Sequence, residues 1–135
     1  MFAIKTEVPD ITLNEYEFLN QKTMYGGKTI AAGDIIFLFA SENEGGNGLF
    51  ARAVVTSAVP TPKLKNVERQ TPRVSISVKR LATAKQHLGR KELKPFNDWK
   101  DGRPETELNF KFYRQATNKI VGLTDGATKF LETYF

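Results

Sequence analysis

Few residues of this chain have the type and spacing that catalysis requires. Glu42 and Glu44 flank Asn43 in the segment SENEGGNG, and two close carboxylates can share the acid and base roles of a hydrolysis. The chain has one histidine, His87, and no cysteine, which leaves no basis for a histidine-rich metal centre or a thiolate site. The GxSxG, HExxH, Walker A and GxGxxG motifs are absent as well. We therefore interpret the two carboxylates as solvated loop residues and expect a non-enzymatic binding protein with no cofactor and no metal.

The positive charge of the chain is concentrated in one central segment. Residues 60–94 contain ten Lys/Arg and two Asp/Glu, whereas residues 1–59 contain four Lys/Arg and seven Asp/Glu. Residues 95–135 contain six of each. A basic segment between acidic and neutral flanks is typical of a surface that binds a polyanion such as nucleic acid. A lysine-rich solvated surface is the alternative interpretation.

The length and composition fit one soluble domain. The chain has 135 residues, of which 40% are hydrophobic, and this is enough to form a core. The absence of cysteine suits a reducing compartment. The N-terminal segment lacks the apolar core of a signal peptide, and no apolar run approaches the ~20 residues that span a bilayer. We expect a single domain over residues 1–135 with a cytoplasmic location and no membrane partner.

The first half of the chain predicts strands around a short helix and a loop. Residues 2–7 alternate between two faces, as a half-buried strand does. Residues 12–20 have capping-box spacing and apolar residues at helical intervals, which predicts a helix, and residues 24–34 read as a loop. Residues 35–40, IIFLFA, form a continuous apolar run that is typical of a strand buried on both faces. Residues 49–58 are expected to be its neighbouring strand.

The second half of the chain predicts two more strands and a terminal helix. Residues 59–73 contain three prolines and read as a long connection. Residues 74–79 and residues 108–113 alternate as strands, and a short helical turn is expected near residues 89–96. A final helix with a core-facing apolar stripe begins near Thr124. Because the order lacks a regular βαβ alternation, we predict an α+β fold with a curled, mainly antiparallel sheet.

Four segments, taken in order, resemble the EVE branch of the PUA-like superfamily. FAIKTEVPD resembles the opening strand of the family, W-L-x-K-S-E-P, and AAGDIIFLFAS resembles its strand of the type kvGDxvffYhS. GLFARAVVTSAVP is similar to the next strand, and FYRQATNKIVGLTDGATKFL is similar to the closing segment that begins with Arg-Gln. The matched positions are Lys5, Thr6, Glu7, Pro9, Gly33, Asp34, Phe39, Ser41, Arg114, Gln115 and Leu123.

This resemblance implies a PUA-like curled β-barrel that binds nucleic acid or a modified base. The pocket of the family lies at one end of the barrel, between the first strand, the loop after the first helix, the end of the YhS strand and the Arg-Gln segment. In that arrangement SENEGGNG forms part of the pocket rim. Its glycines would let the backbone approach a ligand that bulkier residues exclude.

A base in such a pocket needs a surface to stack on and polar groups directed at its Watson–Crick edge. The stacking candidates are Tyr25, Phe39, Trp99 and Tyr113. The candidates for edge recognition are Thr6, Ser41, Asn43 and Gln115. Satisfying backbone groups is the alternative role for each of the four edge candidates, above all for Thr6. Core packing is the alternative role for Phe39.

The basic segment would supply phosphate contacts, which add affinity and salt dependence rather than sequence choice. The candidates are Lys63, Lys65, Arg69, Arg73, Lys79, Arg80, Arg90, Lys91 and Arg114. Bracing of the barrel is the alternative role for Arg114.

Two other functions stay open. Related PUA-like domains of the ASCH branch include small amidohydrolases that act on modified nucleosides through a lysine, a threonine and a glutamate. Lys5, Thr6 and Glu7 are adjacent here, and alternation along a strand sends Lys5 and Thr6 to opposite faces. A protein-interaction domain is the third hypothesis. DNA and RNA are both candidate ligands, with or without a modified base, and a separate nuclease is a candidate partner.

Overall fold

A computed structural model of the chain describes residues 1–62, 71–115 and 117–135. Three predicted phosphate contacts, Lys63, Lys65 and Arg69, lie outside the described residues. No helix in the described part of the chain is long and apolar enough to cross a membrane.

Six strands of the described residues close into a barrel in the order β1-β3-β4-β5-β2-β6. Four of the six neighbouring pairs are antiparallel, and the pairs β1–β3 and β2–β6 are parallel. The expected mainly antiparallel, curled sheet is therefore confirmed. The strands are β1 Phe2–Thr6, β2 Glu15–Met24, β3 Ile35–Ala40, β4 Gly48–Pro60, β5 Arg73–Thr83 and β6 Lys119–Gly122.

Three α-helices and two short 3-10 turns accompany the barrel in the described residues. The helices are α1 Arg90–Leu93, α2 Pro104–Phe112 and α3 Asp125–Glu132. The 3-10 turns are Gly27–Thr29 and Glu42–Glu44. The predicted helical turn near residues 89–96 and the terminal helix are confirmed. Thr124 caps α3 by accepting a hydrogen bond from the backbone N–H of Ala127.

The core has two layers that share the strand β3. One layer fills the barrel and includes Ile4, Leu38 and Ile76. The other lies between the barrel and the helices, where Phe39 packs with Leu108 and neighbouring apolar residues. Because β3 contributes to both layers, it is buried on both faces, as its continuous apolar run predicts.

The same two layers explain why β1 differs from its prediction. Its alternating pattern predicts a half-buried strand, but four of its five residues are buried. One face of β1 packs inside the barrel, and the other lies under the helices. Lys5 points into the second layer, together with Ala3.

The predicted helix over residues 12–20 is wrong, because residues 15–24 form β2. Asp10 accepts hydrogen bonds from the backbone N–H and the hydroxyl of Thr12. Thr12, the predicted helix cap, is therefore part of a turn instead. Tyr16 and Phe18 then alternate toward the barrel core, while Leu19 is 59% exposed. Packing against β5 and β6 thus overrides the local helical spacing.

The predicted strand over residues 108–113 is also wrong, because the segment forms α2 and its C-terminal end. Pro104 occupies the first turn, where proline is tolerated, and Glu105 and Glu107 suit the positive end of the helix. Leu108 and Phe112 are four residues apart and fully buried, which places both on one helix face. The short strand β6 has no counterpart among the predicted elements, whereas β3, β4 and β5 are confirmed.

Substitution of two leucines tests this assignment of buried faces. We expect Leu108→Ala to lower the free energy of unfolding by about 2–5 kcal/mol, since it leaves a cavity between α2 and the barrel. The matched control Leu19→Ala removes an exposed side chain and should change it by less than ~0.5 kcal/mol. Urea denaturation measures both. A cost for Leu19→Ala comparable to that of Leu108→Ala would instead support the helix over residues 12–20.

Candidate nucleic-acid interface

The ends of three strands meet at one rim of the barrel. β1 and β3 are parallel, so their carboxyl ends lie together, with Lys5 beside Phe39. β6 runs antiparallel to β1, which brings Lys119 to the other side of Lys5. The loop that follows β3 and the C-terminal end of α2 border the same rim.

Lys5 is a fully buried lysine in the layer between the barrel and α2. Its Nζ donates to the backbone carbonyl of Phe112 at 2.8 Å and lies 4.8 Å from the centre of the Tyr113 ring. Burial lowers the pKa of Lys5 to about 8, an effect that the Glu42 carboxylate opposes and the Lys119 charge reinforces. At neutral pH most molecules therefore carry an ammonium here, with little solvent around it.

Tyr113 and Glu42 form a hydrogen-bonded pair next to Lys5. The hydroxyl of Tyr113 donates to the Glu42 carboxylate, with both oxygens at 3.0 Å. Burial and the negative charge of Glu42 raise the pKa of the Tyr113 hydroxyl, so the phenol stays protonated. The backbone N–H of Arg90 also donates to Glu42, at 2.6 Å. This carboxylate thus joins the loop after β3, the end of α2 and the start of α1.

Ser41 and Asn43 complete the polar group at the rim. The hydroxyl oxygen of Ser41 is buried and has no hydrogen-bond partner among the described residues. The side-chain oxygen of Asn43 accepts from the guanidinium of Arg90 at 2.6 Å, and that guanidinium lies 5.8 Å from the Tyr113 ring. We define the rim cluster as Lys5, Ser41, Glu42, Asn43, Arg90 and Tyr113.

Two glycines of SENEGGNG pack closely against other parts of the chain, which the sequence did not predict. A Cβ on Gly46 would lie 2.6 Å from backbone atoms of Ala40, and a Cβ on Gly48 would lie 2.4 Å from the carbonyl oxygen of Leu88. Gly48 also has a φ of +84°, which favours glycine. These two glycines allow the loop to pack against the backbone of Ala40 and Leu88. This packing explains why glycine occupies both positions without a ligand.

Thr6 and Gln115 border the rim cluster through their backbones. The carbonyl of Thr6 accepts from the Ser41 N–H at 2.9 Å, while its side chain alternates to the barrel side, opposite Lys5. Gln115 is exposed, and its carbonyl accepts from Nζ of Lys119 at 3.3 Å. Burial lowers the pKa of Lys119 too, and the charge of Lys22 adds to this effect.

Three predicted stacking residues do not lie where the single-pocket hypothesis places them. Phe39 is fully buried and packs on Phe112 with ring centres 5.1 Å apart. It is therefore a core residue and presents no face to a ligand. Tyr25 and Trp99 each pack against Phe110 instead, at 6.0 and 5.6 Å between ring centres. Tyr113 is the predicted aromatic residue that belongs to the rim cluster.

The predicted phosphate contacts are dispersed over the described structure. Arg73 donates to the carbonyl of Asn20 at 2.8 Å. Arg80 braces the turn before β2 by donating to the carbonyls of Ile11 and Leu13. Lys79 is exposed on β5, Arg90 and Lys91 lie at the start of α1, and Arg114 follows the end of α2.

Lys5 and Glu42 are rim-cluster residues that the pocket prediction omits. The interpretation of Glu42 as a solvated loop residue is wrong, because it is half-buried and accepts from the Tyr113 hydroxyl and the Arg90 N–H. One signal was present for Lys5, since it matches the lysine of the family's opening strand. Lys119, which lies beside Lys5 on the neighbouring strand, gave no comparable signal, because β6 was not predicted. No group of three or more His, Cys, Asp or Glu side chains in the described chain could hold a metal ion.

Three solved structures share this fold over nearly the whole chain. The DUF55 domain of human thymocyte nuclear protein 1 matches with a TM-score of 0.63 at 12% identity, covering 98% of this chain and 96% of that one. Human THYN1 protein in complex with 5-methylcytosine-containing DNA matches with a TM-score of 0.64 at 15% identity, covering 98% and 95%. A protein from Pseudomonas putida matches with a TM-score of 0.63 at 16% identity, covering 98% and 97%.

These structures confirm the predicted fold, a curled α+β barrel. At such low identities the likeness is one of fold. No protein-family model matches the chain, and no curated protein matches its sequence.

The electrostatic coupling within the rim cluster is testable by titration of Lys5. We expect the Lys5 side chain to titrate near pH 8 in the folded protein, and Glu42→Gln to lower this pKa further, because the carboxylate that stabilises the ammonium is lost. NMR of the Lys5 side chain over a range of pH measures this pKa. Glu17→Gln, on the exposed face of β2, is the matched control and should leave the pKa unchanged. A rise of the pKa in Glu42→Gln would contradict the arrangement.

Proposed function

We propose that this chain is a non-enzymatic nucleic-acid-binding module that takes one base, in a modified form such as 5-methylcytosine, at the rim cluster. The observation that carries the proposal is the meeting of a buried ammonium, a carboxylate and an unpartnered hydroxyl at one end of the barrel. The fold shared with human THYN1 protein, which is in complex with 5-methylcytosine-containing DNA, supports the choice of ligand.

Glu42 has the chemistry to select a cytosine-type edge. Cytosine presents an amino donor at N4, whereas thymine and uracil present an oxygen acceptor at the same place. An ionised carboxylate accepts at about four lone-pair sites, and Tyr113 and the Arg90 N–H account for three contacts to Glu42. The carboxylate therefore has acceptor capacity left for an amino group, and it would repel a carbonyl oxygen.

Lys5 and Ser41 supply the complementary donors. An ammonium has three N–H donors, and the described structure directs one of them at Phe112. A buried hydroxyl without a partner costs about 1–3 kcal/mol, so a ligand that bonds to Ser41 would recover part of that cost. The O2 and N3 acceptors of cytosine are suited to these two groups. The result would be a donor and acceptor pattern that matches one edge of the base.

Phosphate contacts in this proposal come from the start of α1. Arg90 is placed by its bond to Asn43, and Lys91 beside it is exposed. Each neutralised phosphate releases counterions and steepens the dependence of affinity on salt. Arg73 and Arg80 are left out, because both are committed to backbone carbonyls of the chain itself.

A binding assay with matched carboxylate variants tests the role of Glu42. The protein is titrated into short fluorescein-labelled DNA or RNA strands, and binding is followed by anisotropy at about 50 and 200 mM salt. Each strand carries 5-methylcytosine, cytosine or thymine (uracil in RNA) at one position. We expect binding that weakens with salt and a preference for the cytosine-type base of about 5- to 150-fold. Glu42→Gln should abolish that preference, since an amide can also donate to a carbonyl oxygen.

Glu44→Gln is the matched control, because Glu44 lies two residues away in the same loop and contacts Asn118 instead. It should keep both the affinity and the preference. Undetectable binding to every strand, or affinity that does not change with salt, would contradict a nucleic-acid function.

An amidohydrolase is the second candidate, favoured by the lysine of pKa about 8 next to a carboxylate. Thr6 does not support it, because the Thr6 side chain lies on the other face of β1 from Lys5. The test measures whether the protein releases ammonia or acid from modified nucleosides. Release that disappears in Lys5→Ala would support this activity. The binding proposal expects no turnover, whatever the nucleoside.

A further inference from the structure

A second exposed aromatic surface lies behind the rim cluster, on the other side of the end of α2. Trp99 is 40% exposed, and its ring meets Phe110 edge to face, at 5.6 Å between ring centres. The guanidinium of Arg114 lies 5.3 Å from the Trp99 ring and 5.0 Å from the Phe110 ring. We call Trp99, Phe110 and Arg114 the Trp99 platform.

The platform borders an open groove. A cavity of about 510 Å³ is lined by Trp99 and Phe110 on one side and by the first residues of α3 on another. Such a volume accommodates a planar ring of the size of a nucleobase. The surface thus combines an exposed aromatic face, a groove beside it and a cation in stacking distance.

The acidic residues near the platform are already engaged. Glu107, which lines the groove, accepts from Lys111 Nζ and from the Thr124 N–H, both at 3.0 Å. Asp98 and Asp101 each accept a backbone N–H of their own turn. Among the described residues no carboxylate forms an ion pair with Arg114. Its charge is therefore available to an anionic group.

The platform is continuous with the rim cluster through two consecutive residues. Tyr113 turns its side chain into the rim cluster, and Arg114 turns its side chain onto Trp99. Their Cα atoms are separated by one peptide unit, about 3.8 Å. A strand that places one nucleotide at the rim cluster would carry its neighbour toward the platform.

We propose that the Trp99 platform is a second subsite, which binds the nucleotide that flanks the base held at the rim cluster. The flanking base stacks on Trp99, and its phosphate pairs with Arg114. This inference rests on the proposed function, and it divides the predicted single pocket into two subsites of different chemistry. The rim cluster reads a base edge, whereas the platform stacks any base, because every base has a flat aromatic face.

Trp99 is the only tryptophan of the chain, so its fluorescence reports on the platform without any substitution. We expect a trinucleotide with a central 5-methylcytosine to quench this fluorescence on binding, since stacking brings a base against the indole. The free nucleoside 5-methylcytidine, which reaches the rim cluster alone, should bind without quenching. Binding of the nucleoside is followed separately by NMR shifts of Lys5.

Variants separate the two subsites. Trp99→Ala should weaken trinucleotide binding about 5- to 150-fold and leave nucleoside binding unchanged, while Trp99→Phe should retain most of the affinity. Arg114→Ala should reduce the slope of log affinity against log salt by about one. Lys129→Ala removes an exposed cation of α3 and is the matched control for charge.

The outcomes distinguish this inference from the proposed function. A trinucleotide that binds at the rim cluster with no quenching, and with equal affinity in Trp99→Ala, would overturn the second subsite and leave the proposed function intact. Failure of nucleoside and trinucleotide alike to bind would overturn both. A thermal unfolding curve unchanged in Trp99→Ala confirms that the variant is folded, and the quenching measurement needs no variant at all.

Discussion

The hydrogen bond from the Lys5 ammonium to the Phe112 carbonyl ties the first strand of the barrel to the last turn of α2. Taking an ammonium out of water costs several kcal/mol, so this lysine needs acceptors and negative charge close by. The carbonyl end of α2 and the Glu42 carboxylate meet that need. The hydrogen bond holds the C-terminal end of α2 against β1, and with it the two residues that follow.

Those two residues divide the surface at this end of the molecule. Tyr113 faces the loop after β3 and holds Glu42, while Arg114 faces the turn that carries Trp99. A polar, partly desolvated cluster and an exposed aromatic surface therefore lie back to back on one helix end. Unpartnered buried groups such as the Ser41 hydroxyl are uncommon in folded proteins, and their cost is easier to explain where a ligand completes the bonding.

The elements predicted correctly are those whose pattern directly reflects burial. The continuous run of β3 and the alternation of β5 have simple meanings, since one strand lies between two apolar layers and the other has a single buried face. A helix was predicted in place of β2 and a strand in place of α2. Short segments such as TLNEYEFLN and LNFKFYR fit the helical and the strand spacing of apolar residues equally well. In β2 only pairing with β5 and β6 decides. In α2 the proline at the first turn and the packing of Leu108 decide.

The sequence by itself determined the fold class, the buried strands, the family resemblance and the polar character of the loop at residues 41–48, because these depend on residue type and local spacing. Only the tertiary structure decided which candidates share a site. It joined Ser41, Asn43, Arg90 and Tyr113 to Lys5, placed Phe39 in the core, and placed Tyr25 and Trp99 against Phe110. The reason is physical: a shared site depends on distances between residues about 40 to 110 positions apart, and these distances are set by barrel closure and helix packing, which no local pattern records.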